Sequence, residues 1–260
     1  MYRLVVSSFD KTLIDDDFAI PISTVLTIDF IRRQGSKFVV ATNRGVSFIQ
    51  EYVKDVNFVD YIVSLNGSYV YDVMKEKVIY ERKISKDIIR KIVSKYKKEE
   101  YIIYLCTDHS KCILSKEIIN KDDVIIRNLE DFLKNNKVYK IEIHTKNIKI
   151  CKSIMKELEN MVVHINIGEY EKGDCLVEIT SKNITKSIAV EKICLLEKID
   201  MKDVMFIGNS FNDIELIKQV GFSVCMQNAP SEVRKISMKH TFSNNEKGVE
   251  RVIRNVFEVN

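Results

Sequence analysis

The sequence predicts a doubly wound α/β protein, a parallel sheet flanked by helices, with a second α+β domain inserted into it. Three observations carry this. Short, continuous apolar runs alternate with helix-length amphipathic ones at both ends of the chain. The alternation breaks between about residues 84 and 182, where strand-like runs are grouped instead. Gly 8 and Pro 2 leave little room for irregular loops, since average usage would give about 18 and 13 at this length.

Leu4-Val5-Val6 reads as a buried strand ending at Ser7-Ser8. Residues 23–34 read as a helix, with Ser23 as N-cap and Gly35 as the stop. Phe38-Val39-Val40-Ala41 is a second strand, followed at once by Thr42-Asn43-Arg44. A helix at about 47–55 leads to the strand Tyr61-Ile62-Val63 and then to Asn66-Gly67. This β-α-β-α-β order, with strands apolar throughout, argues for a parallel sheet covered on both faces.

In the middle segment a basic helix (85–99) precedes strand-like runs at 101–106, 138–144, 162–167 and 175–180, with a helix at 147–159. Alternation resumes with a helix at 184–198 and the strand Val204-Met205-Phe206-Ile207, which ends at Gly208-Asn209. A helix from about 211 to Gly221, the strand Val224-Cys225-Met226 and an amphipathic helix at about 247–257 complete the chain. The predicted organisation is a core domain of residues 1–83 and 183–260, with an inserted cap at 84–182.

Composition narrows the function. The net charge of +4 comes without a dense Lys/Arg tract interleaved with aromatics, which argues against nucleic acid as the main ligand. The N-terminus turns polar at Ser7 and charged at Asp10, too early for a signal segment, and no apolar run is long enough to span a membrane. Six cysteines without a C-x-x-C pair offer no zinc spacing and read as reduced core residues of a cytoplasmic protein. The sequence is silent on oligomeric state.

In a doubly wound sheet, ligands bind beyond the carboxyl ends of the strands. Ser8, Asp10 and Thr12 fall there after the first strand, Thr42, Asn43 and Arg44 after the second, Asn66 and Gly67 after the third. Lys186 opens a helix, and Gly208, Asn209, Asn212 and Asp213 follow a late strand. Hydroxyls, amides, cations and loop N–H groups suit an oxyanion such as phosphate. Singly, Thr42 reads more readily as a helix cap, Asn66-Gly67 as a turn and Lys186 as a surface lysine. Their joint placement on one sheet edge favours the site.

These segments resemble the haloacid dehalogenase (HAD) superfamily, in its Cof-type branch of phosphatases with a large α/β cap. Ser8-Phe9-Asp10-Lys11-Thr12-Leu13 stands where that family has D-x-D-G-T-L, and Ala41-Thr42-Asn43-Arg44 where it has A-T-G-R. Leu65-Asn66-Gly67 matches its N-G, and Lys186 its third-motif lysine. Gly208-Asn209-Ser210-Phe211-Asn212-Asp213 matches G-D-x-x-N-D. Met226-Gln227-Asn228-Ala229 and the stretch from Asn244 to Gly248-Val249 resemble the later M-x-N-A and N-x-x-x-G-V.

The resemblance implies a nucleophile at Ser8, a general acid/base at Asp10 and phosphate clamps at Thr42 and Lys186. It places Lys11, Asn43, Arg44, Asn66, Gly67 and Asn212 around the phosphate. It places Mg²⁺ on the main-chain carbonyl of Asp10, on Asn209 and near Asp213. Two positions depart from the pattern, because Ser8 and Asn209 stand where the family has carboxylates. Mg²⁺ is usually held through one or two carboxylates, so binding is expected to be weak or absent. Lys11 either adds a cation that, with Arg44 and Lys186, replaces part of the metal's charge, or points to solvent. The expected function is a HAD-like protein that binds a small phosphorylated metabolite with lost or severely impaired phosphomonoesterase activity. The alternative is an active Mg²⁺-dependent phosphatase of altered mechanism, with Ser8 as nucleophile and Asp10 as its obvious base.

Overall fold

The computed structural model describes residues 2–54, 57–97, 101–114, 124–145, 147–159, 161, 163–169 and 175–259. The first strands are β1 (Leu4–Ser8), β2 (Lys37–Ala41), β3 (Tyr61–Ser64), β4 (Tyr69–Asp72) and β5 (Lys77–Glu81), with helices α1 (Ile22–Arg33) and α2 (Val46–Val53). The middle of the chain forms α3 (Lys86–Tyr96), β6 (Ile102–Cys106), β7 (Lys111–Ile113), β8 (Val124–Ile125), α4 (Leu129–Asn135), β9 (Lys140–Thr145), α5 (Ile148–Leu158), β10 (Val163–Glu169) and β11 (Cys175–Ser181). The last part forms α6 (Lys186–Glu197), β12 (Val204–Gly208), α7 (Ile214–Gln219), β13 (Phe222–Met226), α8 (Ser231–Arg234), β14 (Lys239–Thr241) and α9 (Gly248–Phe257).

Contacts divide the chain into two compact units. One comprises Met1–Arg44, Ile49–Tyr80 and Thr185–Asn260; the other comprises Gly45–Phe48 and Glu81–Ile184. The first unit holds an eight-stranded sheet in the order β14-β13-β12-β1-β2-β3-β4-β5. Its strands run parallel from β14 to β3, and β4 turns back antiparallel on β3. Every residue of β1, β3 and β12 is buried, which explains why these strands lack polar alternation. One face packs Val6, Val39, Val63 and Phe206 with Ala189, Val190 and Ile193 of α6, and each of these side chains larger than alanine contributes about 1.5–3 kcal/mol.

The second unit has a six-stranded sheet, β10-β11-β9-β6-β7-β8. Ile103, Leu105, Ile141, Ile143, Val177 and Ile179 share one hydrophobic cluster with Ile89 and Ile92 of α3 and Ile154 and Leu158 of α5. Strand alternation puts Lys140, Glu142 and Glu178 on the opposite face. There the buried Lys140 ammonium lies 2.6 Å from Glu142 and 3.0 Å from Glu178.

Several local expectations need correction. Ser23 does not cap α1, which starts behind Pro21; its hydroxyl donates to Glu250 Oε2 of α9 (2.6 Å) instead. The helix expected from 211 to 221 is a 3₁₀ turn at Phe211–Asp213 followed by the short α7. Position 55 of the helix expected at 47–55, positions 98–99 of that at 85–99 and position 162 of the strand at 162–167 lie outside the described residues. Cys151 and Cys175 are not reduced but joined in a disulfide between α5 and the start of β11, Cα atoms 6.5 Å apart. The other four cysteines are buried and stand outside any disulfide.

Candidate active site

The ends of β1, β2, β3 and β12 and the first turn of α6 bring the predicted residues into the first unit. β1 runs into a tight turn at Phe9–Leu13, in which Lys11 takes a left-handed conformation (φ 54°). The turn after β3 is laced to the loop after β2, with Asn66 N donating to Thr42 O (3.1 Å) and Leu65 N to Arg44 O (3.0 Å). Gly67 (φ +95°) lets this turn lie against α6, because a Cβ there would fall on the carbonyl of Thr185 and 3.1 Å from Lys186 N. Thr185 caps α6 by accepting from Ile188 N (3.3 Å), which fixes Lys186 as the first residue of the helix.

Asp213 is the hub of the site and is fully buried. Its Oδ1 accepts from Lys186 Nζ (2.8 Å) and from Ser8 Oγ (2.9 Å). Its Oδ2 accepts from the backbone N–H groups of Asn209 and Ser210 (3.0 Å each) and from Ser210 Oγ (3.1 Å). Gly208 makes room for that carboxylate, since a Cβ at 208 would come within 2.7 Å of Oδ2. Burial works to raise the Asp213 carboxyl, but the Lys186 charge and the donors around it outweigh burial and hold it below the usual carboxylate range.

A second ion pair stands at Asp10. Arg44 Nε donates to both of its oxygens (2.8 and 3.0 Å), and Nη2 lies 2.6 Å from Oδ1. Thr42 Oγ1 accepts from Arg44 N (3.1 Å), which pins the start of that loop. Thr12 Oγ1 donates to Asn209 Oδ1 (3.1 Å), joining the loop after β1 to the loop after β12. Lys11 is exposed, and its carbonyl accepts from Asn228 Nδ2 (2.9 Å). Asn43 and Asn212 are half-buried, and Asn66 is buried.

One expectation, the base for Ser8, is corrected here. The carboxylate hydrogen-bonded to Ser8 is Asp213, whereas Asp10 is engaged by Arg44. Lys186 and Arg44, expected as cations facing a phosphate, each sit in an ion pair. Asp213, expected only as a nearby anion, contacts Ser8 and Lys186 directly. Sequence reasoning also missed Ser210, although Ser210-x-x-Asp213 is a spacing that places hydroxyl and carboxylate together at a helix start.

The HAD superfamily generally uses Mg²⁺, and the donor set tests whether these residues suit it. Among the described residues, no group of three or more His, Cys, Asp and Glu side chains could hold a metal ion. Ser8 and Asn209 offer neutral oxygens, the first donating a hydrogen bond to Asp213 and the second already accepting from Thr12. The two carboxylates, Asp10 and Asp213, are both ion-paired. This set does not match the carboxylate-bearing, water-rich shell that Mg²⁺ takes.

Residues 5–253 match the haloacid dehalogenase-like hydrolase family, and the chain belongs to it. A curated relative, the 5-amino-6-(5-phospho-D-ribitylamino)uracil phosphatase YitU of Bacillus subtilis, is 22% identical over 270 residues, covering 98% of each chain. The phosphatase of the same name from Escherichia coli, YbjI, is 26% identical over 249 residues, 88% of this chain and 86% of that one. A haloacid dehalogenase-like hydrolase from Bacteroides thetaiotaomicron superposes with a TM-score of 0.83 at 22% identity, covering 99% of this chain and 100% of that one. The fold is therefore that of the superfamily, a mixed α/β architecture with a parallel core sheet. Among the described residues, no helix is long and apolar enough to cross a membrane.

Proposed function

We propose that this chain binds a small phosphorylated metabolite, of the sugar-phosphate kind, at the strand-end cluster, with phosphomonoesterase activity lost or severely impaired. The observation that carries this reading is the hydrogen bond from Ser8 to Asp213, at the position where the family has its attacking carboxylate. A serine needs a base to attack phosphorus, and Asp213 is a poor one because Lys186 holds its carboxyl low. Attack would also leave a phosphoserine ester, whose alkoxide departs far less readily than the carboxylate of an acyl phosphate. Loss of a nucleophile costs up to about 10⁶ in turnover.

Mg²⁺ is accordingly bound weakly or not at all, and binding falls to the loop N–H groups with Lys11, Asn43, Arg44, Asn66, Gly67, Asn212 and Lys186. Thr42 and Asp10 complete the site, Asp10 keeping the place of a general acid/base. On this reading the segments 1–83 and 183–260 form the binding core, residues 84–182 select the substrate, and the protein works in the cytoplasm, where phosphorylated metabolites are found.

The test is a phosphatase screen of the chain beside a Ser8→Asp/Asn209→Asp double variant, with calorimetric titration of phosphate in the presence and absence of Mg²⁺. Phosphate binding without metal, with turnover only in the double variant, is the expected result. Robust Mg²⁺-dependent turnover by the unmodified chain would establish the alternative, an active phosphatase of altered mechanism.

A further inference from the structure

The two ion pairs of the site differ in how firmly they are held. The side chains of Lys186 and Asp213 are 7 and 0% exposed, and Asp213 is also reached by Ser8, Ser210 and two backbone N–H groups. Breaking that pair would strand a buried charge. The side chains of Arg44 and Asp10 are each 34% exposed. Among the described residues, every hydrogen bond to the Asp10 carboxylate comes from Arg44. A pair this open to water is weak and readily exchanged.

The frame around the second pair is fixed. Arg44 N donates to Thr42 Oγ1 (3.1 Å) and Arg44 O accepts from Leu65 N (3.0 Å), so this backbone is pinned on both sides. Asp10 sits in a turn tied down by Thr12, which donates to Asn209 Oδ1 (3.1 Å), and by Asn228, which donates to Lys11 O (2.9 Å). Freedom to change partners lies in the long Arg44 side chain, which carries many rotamers.

Arg44 meets Asp10 edge-on. Nε donates to Oδ1 and Oδ2 (2.8 and 3.0 Å), and Nη2 lies 2.6 Å from Oδ1. This edge of a guanidinium is the fork that takes two oxygens of a carboxylate or of a phosphate. Both anions need the same donors, so on this edge each excludes the other. We propose that Asp10 is a built-in competitor of the phosphate: its carboxylate occupies the Arg44 fork, and phosphate binds by displacing it. The inference rests on the phosphate reading above and adds to it the residue that sets the affinity. The exchange conserves the charge-assisted hydrogen bonds of the guanidinium, so phosphate gains little from Arg44 while Asp10 is in place. The displaced carboxylate is also left close to a second anion, which costs Coulomb energy.

The test is calorimetric titration of inorganic phosphate, in metal-free buffer near neutral pH, into the parent, Asp10→Asn, Arg44→Gln and the double variant Asp10→Asn/Arg44→Gln. Asparagine keeps the shape of aspartate but is only a neutral acceptor, so Asp10→Asn should lower the phosphate Kd about tenfold. In the Arg44→Gln background the same change relieves repulsion alone, and the gain should shrink to about threefold or less. A crystal structure of the parent with phosphate, which depends on no variant folding, should show the Arg44 fork on the anion and Asp10 turned to water. Equal Kd for the parent and Asp10→Asn, equal gains with and without Arg44, or phosphate bound beside an intact Arg44–Asp10 pair each overturn the proposal and leave the phosphate reading standing. Absence of phosphate binding in every variant overturns that reading and this one together.

Discussion

Replacing Lys186 with methionine isolates the energetics of the site. The substitution keeps the length of the side chain but removes the ammonium 2.8 Å from Asp213 Oδ1, leaving that carboxylate at 0% exposure without a countercharge. Breaking a buried pair from one side costs about 3–5 kcal/mol. The hydroxyls of Ser8 and Ser210 and two backbone N–H groups still reach Asp213, so the lower part of that range, about 3 kcal/mol, is expected. For a chain of this size it corresponds to a fall in Tm of roughly 6–12 °C. Removing the second charge as well, in Lys186→Met/Asp213→Asn, should recover most of the loss, because a neutral pair carries no stranded charge.

The pH dependence gives a second readout. With Lys186 in place the Asp213 carboxyl lies below its ordinary value. Its contribution is therefore present above the unfolded carboxylate pKa of about 3.9 and lost as pH falls through the lower folded value. Without the Lys186 charge, burial is opposed only by the donors of Ser8, Asn209 and Ser210 and raises it, so the variant is least penalised in acid and loses stability as pH rises through the raised value. Urea unfolding followed by far-UV circular dichroism, a suitable probe for a chain with no Trp, should show the gap to the parent widening from pH 5 to pH 7.5. A loss under about 1 kcal/mol at pH 7, or a gap independent of pH, would refute the argument that Asp213 is held as a buried anion by Lys186.

Two further variants test other parts of the fold. Opening the Cys151–Cys175 disulfide, whose partners are 24 residues apart, should cost about 3.5 kcal/mol by loop-closure entropy. Thermal melts with and without a phosphine reductant should differ for the parent and coincide for Cys151→Ser/Cys175→Ser. Gly67→Ala puts a side chain at φ +95° and against the Thr185 carbonyl. A loss of about 2 kcal/mol or more is expected, together with weaker phosphate binding by calorimetry, because the start of α6 must move and Lys186 moves with it.

The core was legible in the sequence because its strands are buried on both sides. Leu4-Val5-Val6, Phe38–Ala41 and Val204–Ile207 need no alternation, so each stands out as a short apolar block. The site was legible as a set of positions for a related reason: the loops that leave those blocks carry its residues. Its pairings were not. Spacing along the chain cannot say that Asp213 rather than Asp10 meets Ser8, since 205 residues separate the partners. The strands β4, β8 and β14, of 4, 2 and 3 residues, are too short to show a pattern of their own, and β5 has no fully buried residue. The Cys151–Cys175 contact joins a helix to a strand, and composition alone pointed away from it.

The placement of β1 also bears on how the chain acquires its structure. β1 lies between β2, about thirty residues on, and β12, two hundred residues later, with Leu4 opposite both Lys37 and Val204. During synthesis the parallel sheet therefore lacks one of the two neighbours of its central strand until most of the polypeptide has been made. The unit at Glu81–Ile184, nearly all one continuous stretch, has no such wait. Long-range parallel pairing is slow, and unpaired strands are the species that aggregate. The vulnerable intermediate is thus an ordered insert flanked by an unfinished sheet, and Val204–Gly208 is the segment whose arrival ends that exposure.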